Sequence, residues 1–325
     1  MVGYVVADGS PLDLELVVFR DQALIDYEAT WLPAWRACAE AIANAAGEPA
    51  LAPALLKAGG WVEDADGNGG VEADGLLRTG TLIELSQRWI DTQPIVAAHW
   101  AAGAAALAVE VEAACVDATA RAATPAGPAR RALEQLRAAG IRLALFASVS
   151  EKLANAQLGA LGWSDLFAAV TGADSPSPLL RRDSTGGALS APRDGSGAVR
   201  AAIAAARAAP ERAVVVGSCG ADLAASRAAG CAFGVAVWPS MARLPAALAT
   251  AAVRLQHVGE LPAVLAEAGS LALRRELASS GGAEATDAAD AAAAALERVD
   301  LSAAADDAPH AEHDAEIDAL VASMA

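Results

Sequence analysis

The chain has 325 residues, 55% of them hydrophobic and 19% charged, with a formal net charge of −17 at neutral pH. That length and composition belong to a globular chain able to bury a large core in one or two domains, and exclude a wholly disordered one. The acidic balance argues against a nucleic-acid partner, because such partners require cationic surfaces to offset phosphate charge.

Taken in chain order, residues 1–13 form a leader with a Gly9-Ser10-Pro11 turn. Leu14 to Phe19 is a short apolar run that predicts a strand. It ends in the polar stretch Arg20-Asp21-Gln22-Ala23-Leu24-Ile25-Asp26, followed by a helix over 27–45. From Tyr27 to about Ala123 the pattern is mainly helical, with Trp31, Trp35, Trp89 and Trp100 as bulky anchors. Within it, Asp64-Ala65-Asp66-Gly67-Asn68-Gly69 matches the opening of a calcium loop, with Glu72 at the ninth position. Gly75 stands where a bidentate Glu should close the coordination sphere. Asp, Asn and Gly also make ordinary exposed turns, and a solvated loop is the simpler reading.

Strands and helices then alternate: helix 128–139, strand 141–147, helix 151–161, a short strand over 168–171, helix 196–208, strand 213–217, helix 221–229 and strand 232–237. This order predicts a doubly wound α/β domain, a parallel sheet with helices on both faces. After about Glu276 the chain turns Ser-, Gly-, Ala- and Asp-rich, as a flexible linker does. From Glu284 onward eleven acidic residues face the single Arg298, a net −10, which leaves −7 for the rest. At its end Ile317, Leu320, Val321 and Met324 fall at i, i+3, i+4 and i+7, one apolar stripe on a short helix. Such a helix is marginal alone, so it packs on its own core or docks on a protein partner.

Three segments carry a resemblance. The first is Leu16-Val17-Val18-Phe19-Arg20-Asp21-Gln22-Ala23-Leu24-Ile25-Asp26. The second is Ile141-Arg142-Leu143-Ala144-Leu145-Phe146-Ala147-Ser148. The third is Val214-Val215-Val216-Gly217-Ser218-Cys219-Gly220-Ala221-Asp222, leading to Ala229-Gly230-Cys231. Together they are similar to the motifs of the haloacid dehalogenase superfamily, in particular its phosphoglycolate-phosphatase-like members with a helical cap. The resemblance covers roughly residues 14–240. It implies a Rossmann-like core over 1–26 and 124–275, an inserted helical cap over 27–123, and an acidic tail over 276–325.

The same resemblance assigns roles, and the residues present depart from them. In the family an Asp at the end of the first strand attacks phosphorus, and a second Asp two places on is the acid/base. This chain is one residue shorter there. Aligned from Leu24-Ile25-Asp26, Asp21 matches the acid/base, and the nucleophile's place is deleted or taken by Arg20. Aligned from the strand, Arg20 holds the nucleophile's place, and Asp21 serves only if the turn has re-formed. Ala147 falls where a phosphate-binding hydroxyl is usual, with Ser148 one place late. A Ser ahead of a helix is also an ordinary N-cap. Ser218 replaces a magnesium-binding Asp and only Asp222 survives, although magnesium takes hard oxygen ligands. The family's lysine has no counterpart: Lys57 and Lys152 are the only lysines, and Ala191 sits where one is expected. Arg181, Arg182 or Arg193 would bring charge there but not a lysine's point charge.

Phosphoryl transfer depends on positioning and electrostatic stabilisation, so losing the nucleophile alone is severe. Two functions of different class follow. One is a pseudoenzyme, a binding or scaffolding protein that needs no cofactor. The other is a divergent phosphatase that uses Asp21 with magnesium weakly held at Asp222. The four cysteines, Cys38, Cys115, Cys219 and Cys231, lack Cys-x-x-Cys spacing and are expected to be reduced thiols. Cys219 stands nearest the expected cleft, where a reactive thiol or an inert replacement for the family's Ser are the alternatives. No long apolar span or signal-peptide pattern is present, so a cytoplasmic location without membrane contact is the expectation.

Overall fold

The computed structural model describes residues 13–63, 69–72, 75–147, 149–172, 196–238, 246–249 and 251–267. A first strand, β1 (Leu16–Arg20), runs into a single turn, α1 (Asp21–Leu24). The helical segment that follows holds α2 (Tyr27–Ala45), α3 (Ala52–Ala58), a hairpin of β2 (Trp61–Glu63) and β3 (Gly69–Val71), α4 (Leu76–Thr79), α5 (Leu82–Thr92), α6 (Pro94–His99) and α7 (Ala104–Ala122). The chain then continues through α8 (Ala129–Ala138), β4 (Arg142–Phe146), α9 (Glu151–Ala160), β5 (Ala169–Thr171), α10 (Ser196–Ala205), β6 (Ala213–Gly217) and α11 (Gly220–Ala229). It closes with β7 (Phe233–Val237), α12 (Ala246–Ala249), β8 (Val253–Leu255) and α13 (Leu261–Glu267).

Six strands form one parallel sheet in the order β5-β4-β1-β6-β7-β8. The Val- and Leu-rich strands are continuous apolar runs because a parallel sheet covered on both faces buries every side chain. Alternation divides them. Val17, Phe19, Leu143, Leu145, Val214 and Val216 pack on one face with α8, α9 and α13, while Leu16, Val18, Ala144, Phe146, Ala213 and Val215 pack on the other with α10 and α11. The chain moves outward from β1 through β4 and β5, then returns to the other side of β1 with β6. The carboxyl ends of β1 and β6 therefore flank the switch in strand order, where an open α/β sheet forms its crevice.

The helix starts are encoded locally. The Asp26 side chain accepts from Ala29 N at 3.0 Å to cap α2. Thr81 and Glu84 close a capping box on α5, and Ser150 accepts from Leu153 N at 3.2 Å ahead of α9. The chain leaves for the helical segment and returns from it side by side, with Asp26 N donating to Thr124 O and Ala126 N to Leu24 O, both at 2.8 Å. Two features depart from the sequence reading. The stretch from Tyr27 to Ala123 contains the β2–β3 hairpin as well as helices, and the sheet gains β8, with α12 and α13 around it, beyond the last strand expected at 232–237. Among the described residues no helix is long and apolar enough to cross a membrane.

Candidate functional site

Arg20 is the last residue of β1, in register with Phe146 of β4. Its guanidinium lies over the Phe146 ring, 5.3 Å from the centroid. Arg20 Nε is 3.2 Å from Asp21 Oδ1 and 3.9 Å from Asp222 Oδ1, and the side chain is 16% exposed. The cation thus sits between two buried carboxylates, one from the turn after β1 and one from the first turn of α11. Asp21 Oδ1 has no hydrogen-bond partner. Burial pushes the Asp21 carboxyl above the usual carboxylate range, outweighing the pull of Arg20.

Asp222 is fixed by the turn that carries it. Its Oδ2 accepts from Ser218 N at 2.9 Å and from Cys219 N at 3.1 Å, satisfying two donors that the β6–α11 turn leaves open. This folding-back requires Gly217, since a Cβ there would lie 2.3 Å from Asp222 Cβ. The surviving acidic residue therefore serves the turn with one oxygen and faces Arg20 with the other. Cys219 is pushed up to about 11 by burial and by Asp222, so its thiol stays protonated at neutral pH. That favours the inert reading of Cys219.

The helical segment meets this site directly. Gln22 Nε2 donates to Arg78 O at 2.9 Å and Tyr27 OH to Leu77 O at 2.7 Å, so α4 is fastened to α1 and the start of α2. Arg78 lies 4.7 Å over the Tyr27 ring, and Trp35 Nε1 donates to Tyr27 OH at 3.2 Å. A cavity of about 250 Å³, lined in part by Arg137, Arg142, Asp165 and Phe167, lies instead at the amino ends of β4 and β5.

Of the residues singled out in the sequence, Asp21 and Asp222 come together around Arg20. Ser218 joins them through its backbone N–H alone. Lys57 and Lys152 are both exposed, on α3 and in the first turn of α9. Ser148, residues 64–68 of the calcium-like loop, Ala191, the arginines 181, 182 and 193, and the stripe Ile317, Leu320, Val321 and Met324 lie outside the described residues.

A parallel, doubly wound sheet with acidic residues just beyond the ends of adjacent central strands defines the class of open α/β folds that bind and react at the carboxyl ends of their strands. The model of one such family, the haloacid dehalogenase-like hydrolases, matches residues 21–230, and the chain belongs to that family. Among solved structures it is similar to a proposed β-phosphoglucomutase from Thermotoga maritima, at 20% identity, covering 78% of this chain and 99% of that one with a TM-score of 0.50. It is also similar to a mutant of CbbY from Rhodobacter sphaeroides, a structure in complex with xylulose-1,5-bisphosphate, at 19% identity, covering 75% and 95% with a TM-score of 0.52. At these identities the likeness carries the fold and nothing more. No curated protein matches the chain.

Family hydrolases usually work with magnesium, and the donor set here does not fit that ion. Magnesium takes near-octahedral oxygen ligands at about 2.1 Å. Of the two carboxylates, Asp222 has one oxygen engaged by backbone N–H groups and the other facing a guanidinium, while Asp21 Oδ1 is 3.2 Å from the same guanidinium. Among the described residues no group of three or more His, Cys, Asp or Glu side chains is arranged to hold a metal.

Proposed function

We propose that this chain is a pseudoenzyme of its family: a binding or scaffolding protein that keeps the hydrolase fold and does not carry out metal-dependent phosphoryl transfer. The observation that carries this reading is Arg20 at the end of β1, ion-paired with Asp21 and Asp222. A guanidinium is not a nucleophile toward phosphorus. Its ion pairs also occupy the two carboxylates that the chemistry needs free. The division into a core over 1–26 and 124–275, a helical cap over 27–123 and an acidic tail over 276–325 belongs to the same proposal. So does a protein partner for the Ile317–Met324 stripe.

The test is hydrolysis of an aryl phosphate and of phosphoglycolate by the purified chain with magnesium, beside Asp21→Asn. The expected result is that both proteins match the blank. Turnover lost in Asp21→Asn would overturn the proposal.

That outcome would establish a second reading, a divergent phosphatase, which one observation favours. Burial raises the Asp21 carboxyl above its usual range, the direction of shift that a general acid needs.

A further inference from the structure

We infer that the Arg20 guanidinium is the resident cation of the site, occupying the space between Asp21 and Asp222 and excluding a divalent ion, so that removing it opens a two-carboxylate cation site. The inference shares its observation with the pseudoenzyme reading but concerns binding, not turnover.

Two buried carboxylates converging on one point are stabilised by a positive charge between them or by a shared proton, because an unpaired buried charge is strongly destabilising, and here Arg20 supplies the charge. Asp21 and Asp222 come from different elements and have only 3% and 4% of their surface exposed. Each presents its Oδ1 to the same Arg20 nitrogen. Neither can swing away cheaply. Asp21 belongs to the α1 turn, whose next residue Gln22 is tied to Arg78 O, and Asp222 is anchored by the Ser218 and Cys219 N–H groups. Arg20 is fixed in turn by the strand ladder and by its stacking on Phe146. A divalent ion entering here would meet the guanidinium at van der Waals distance, with like-charge repulsion in a poorly solvated place.

Shortening Arg20 reverses the balance. The two Oδ1 atoms remain, the positive charge is gone, and the vacated volume admits a hydrated ion. Magnesium commonly binds through one or two carboxylates with several of its waters retained.

The experiment is a thermal melt of the full chain as wild type, Arg20→Ala, Arg20→Gln and Arg20→Ala/Asp222→Asn. Each is titrated with magnesium or manganese chloride against sodium chloride of equal ionic strength. The wild type is expected to show no saturable response. Arg20→Ala and Arg20→Gln are expected to melt lower without divalent ion and to recover by roughly 3–10 °C along a saturable curve. The double variant is expected to lose that recovery. A saturable rise in the wild type would overturn the inference. So would Arg20→Ala and Arg20→Gln that gain neither stability nor folding from either ion. Magnesium-independent hydrolysis by the wild type would remove the pseudoenzyme reading and leave this one standing.

Discussion

Replacing Asp222 tests the geometry of the site most directly. Asp222→Ala removes the acceptor for Ser218 N and Cys219 N, at 2.9 and 3.1 Å, and takes one carboxylate from Arg20, whose Nε is 3.9 Å away. Hydrogen bonds to a charged group are worth about 1.5–3 kcal/mol each, and the ends of a turn let water replace part of what is lost. The long Arg20 contact adds little by itself, since Asp21 remains as a partner. The sum expected for Asp222→Ala is about 3–5 kcal/mol, or roughly 6–20 °C in melting temperature for a domain of this size. Asp222→Asn keeps an acceptor oxygen for both N–H groups and loses only the charge, so its cost should be about 1–2 kcal/mol. Urea unfolding followed by tryptophan fluorescence reads both. A loss under about 0.5 kcal/mol in Asp222→Ala, the range of an ordinary surface substitution, would refute the assignment of Asp222 to the turn. Equal losses in the two variants would show that charge, not acceptor geometry, holds it.

Two further outcomes follow from the same turn. Gly217→Ala sets a Cβ 2.3 Å from Asp222 Cβ and 2.8 Å from its Oδ2, and should cost about 1–3 kcal/mol by overpacking. The same substitution should cost markedly less in an Asp222→Gly background, which removes the clashing Cβ that alanine would keep, a non-additivity that urea midpoints of the double-mutant cycle reveal. Cys219, pushed up to about 11, should be alkylated by iodoacetamide at pH 8 roughly two hundredfold more slowly than a free thiol of pKa about 8.5, with the rate still rising toward pH 11. Peptide mass spectrometry after timed alkylation measures this, and a rate matching the free thiol would contradict the burial of that sulfur.

The fold was legible because its strands are written as unmistakable apolar runs. Leu14 to Phe19, Ile141 to Ala147 and Ala213 to Gly217 each identify a central strand, and all three lie side by side in the sheet. The three-residue strand Val253–Leu255 escaped notice because Val-Arg-Leu is too short to show a period, and the hairpin β2–β3 is Gly-rich and equally brief. The site was legible only in part. The departures at Arg20 and Ser218 stand out against the family's motifs, but a motif does not reveal where a long side chain turns. That Arg20 bends toward Asp222, 202 positions away in the chain, is a property of β1 and β6 pairing in parallel. Nor does the sequence show that Asp222 spends one oxygen on its own turn; the only local signal was the Gly217-Ser218-Cys219 tight corner before a helix.

Fold and chemistry are separable in this chain for an energetic reason. Val17, Val18, Leu143, Leu145, Val214 and Val216 are fully buried, and each such side chain contributes about 1.5–3 kcal/mol by leaving water. The charged residues of the site stand where the sheet meets its loops, at the carboxyl end of β1, in the turn after it and in the first turn of α11 beyond β6. There the Coulombic gain of a buried ion pair is largely offset by desolvation. The sheet therefore forms whether its tips carry a nucleophile and a metal or an arginine and its two partners. Family membership follows from the strands, and function has to be argued from a few atoms beyond them. In this chain those atoms put a guanidinium where two carboxylates converge. A positive charge built into the backbone register of β1 cannot be titrated away or diluted out as a bound metal can.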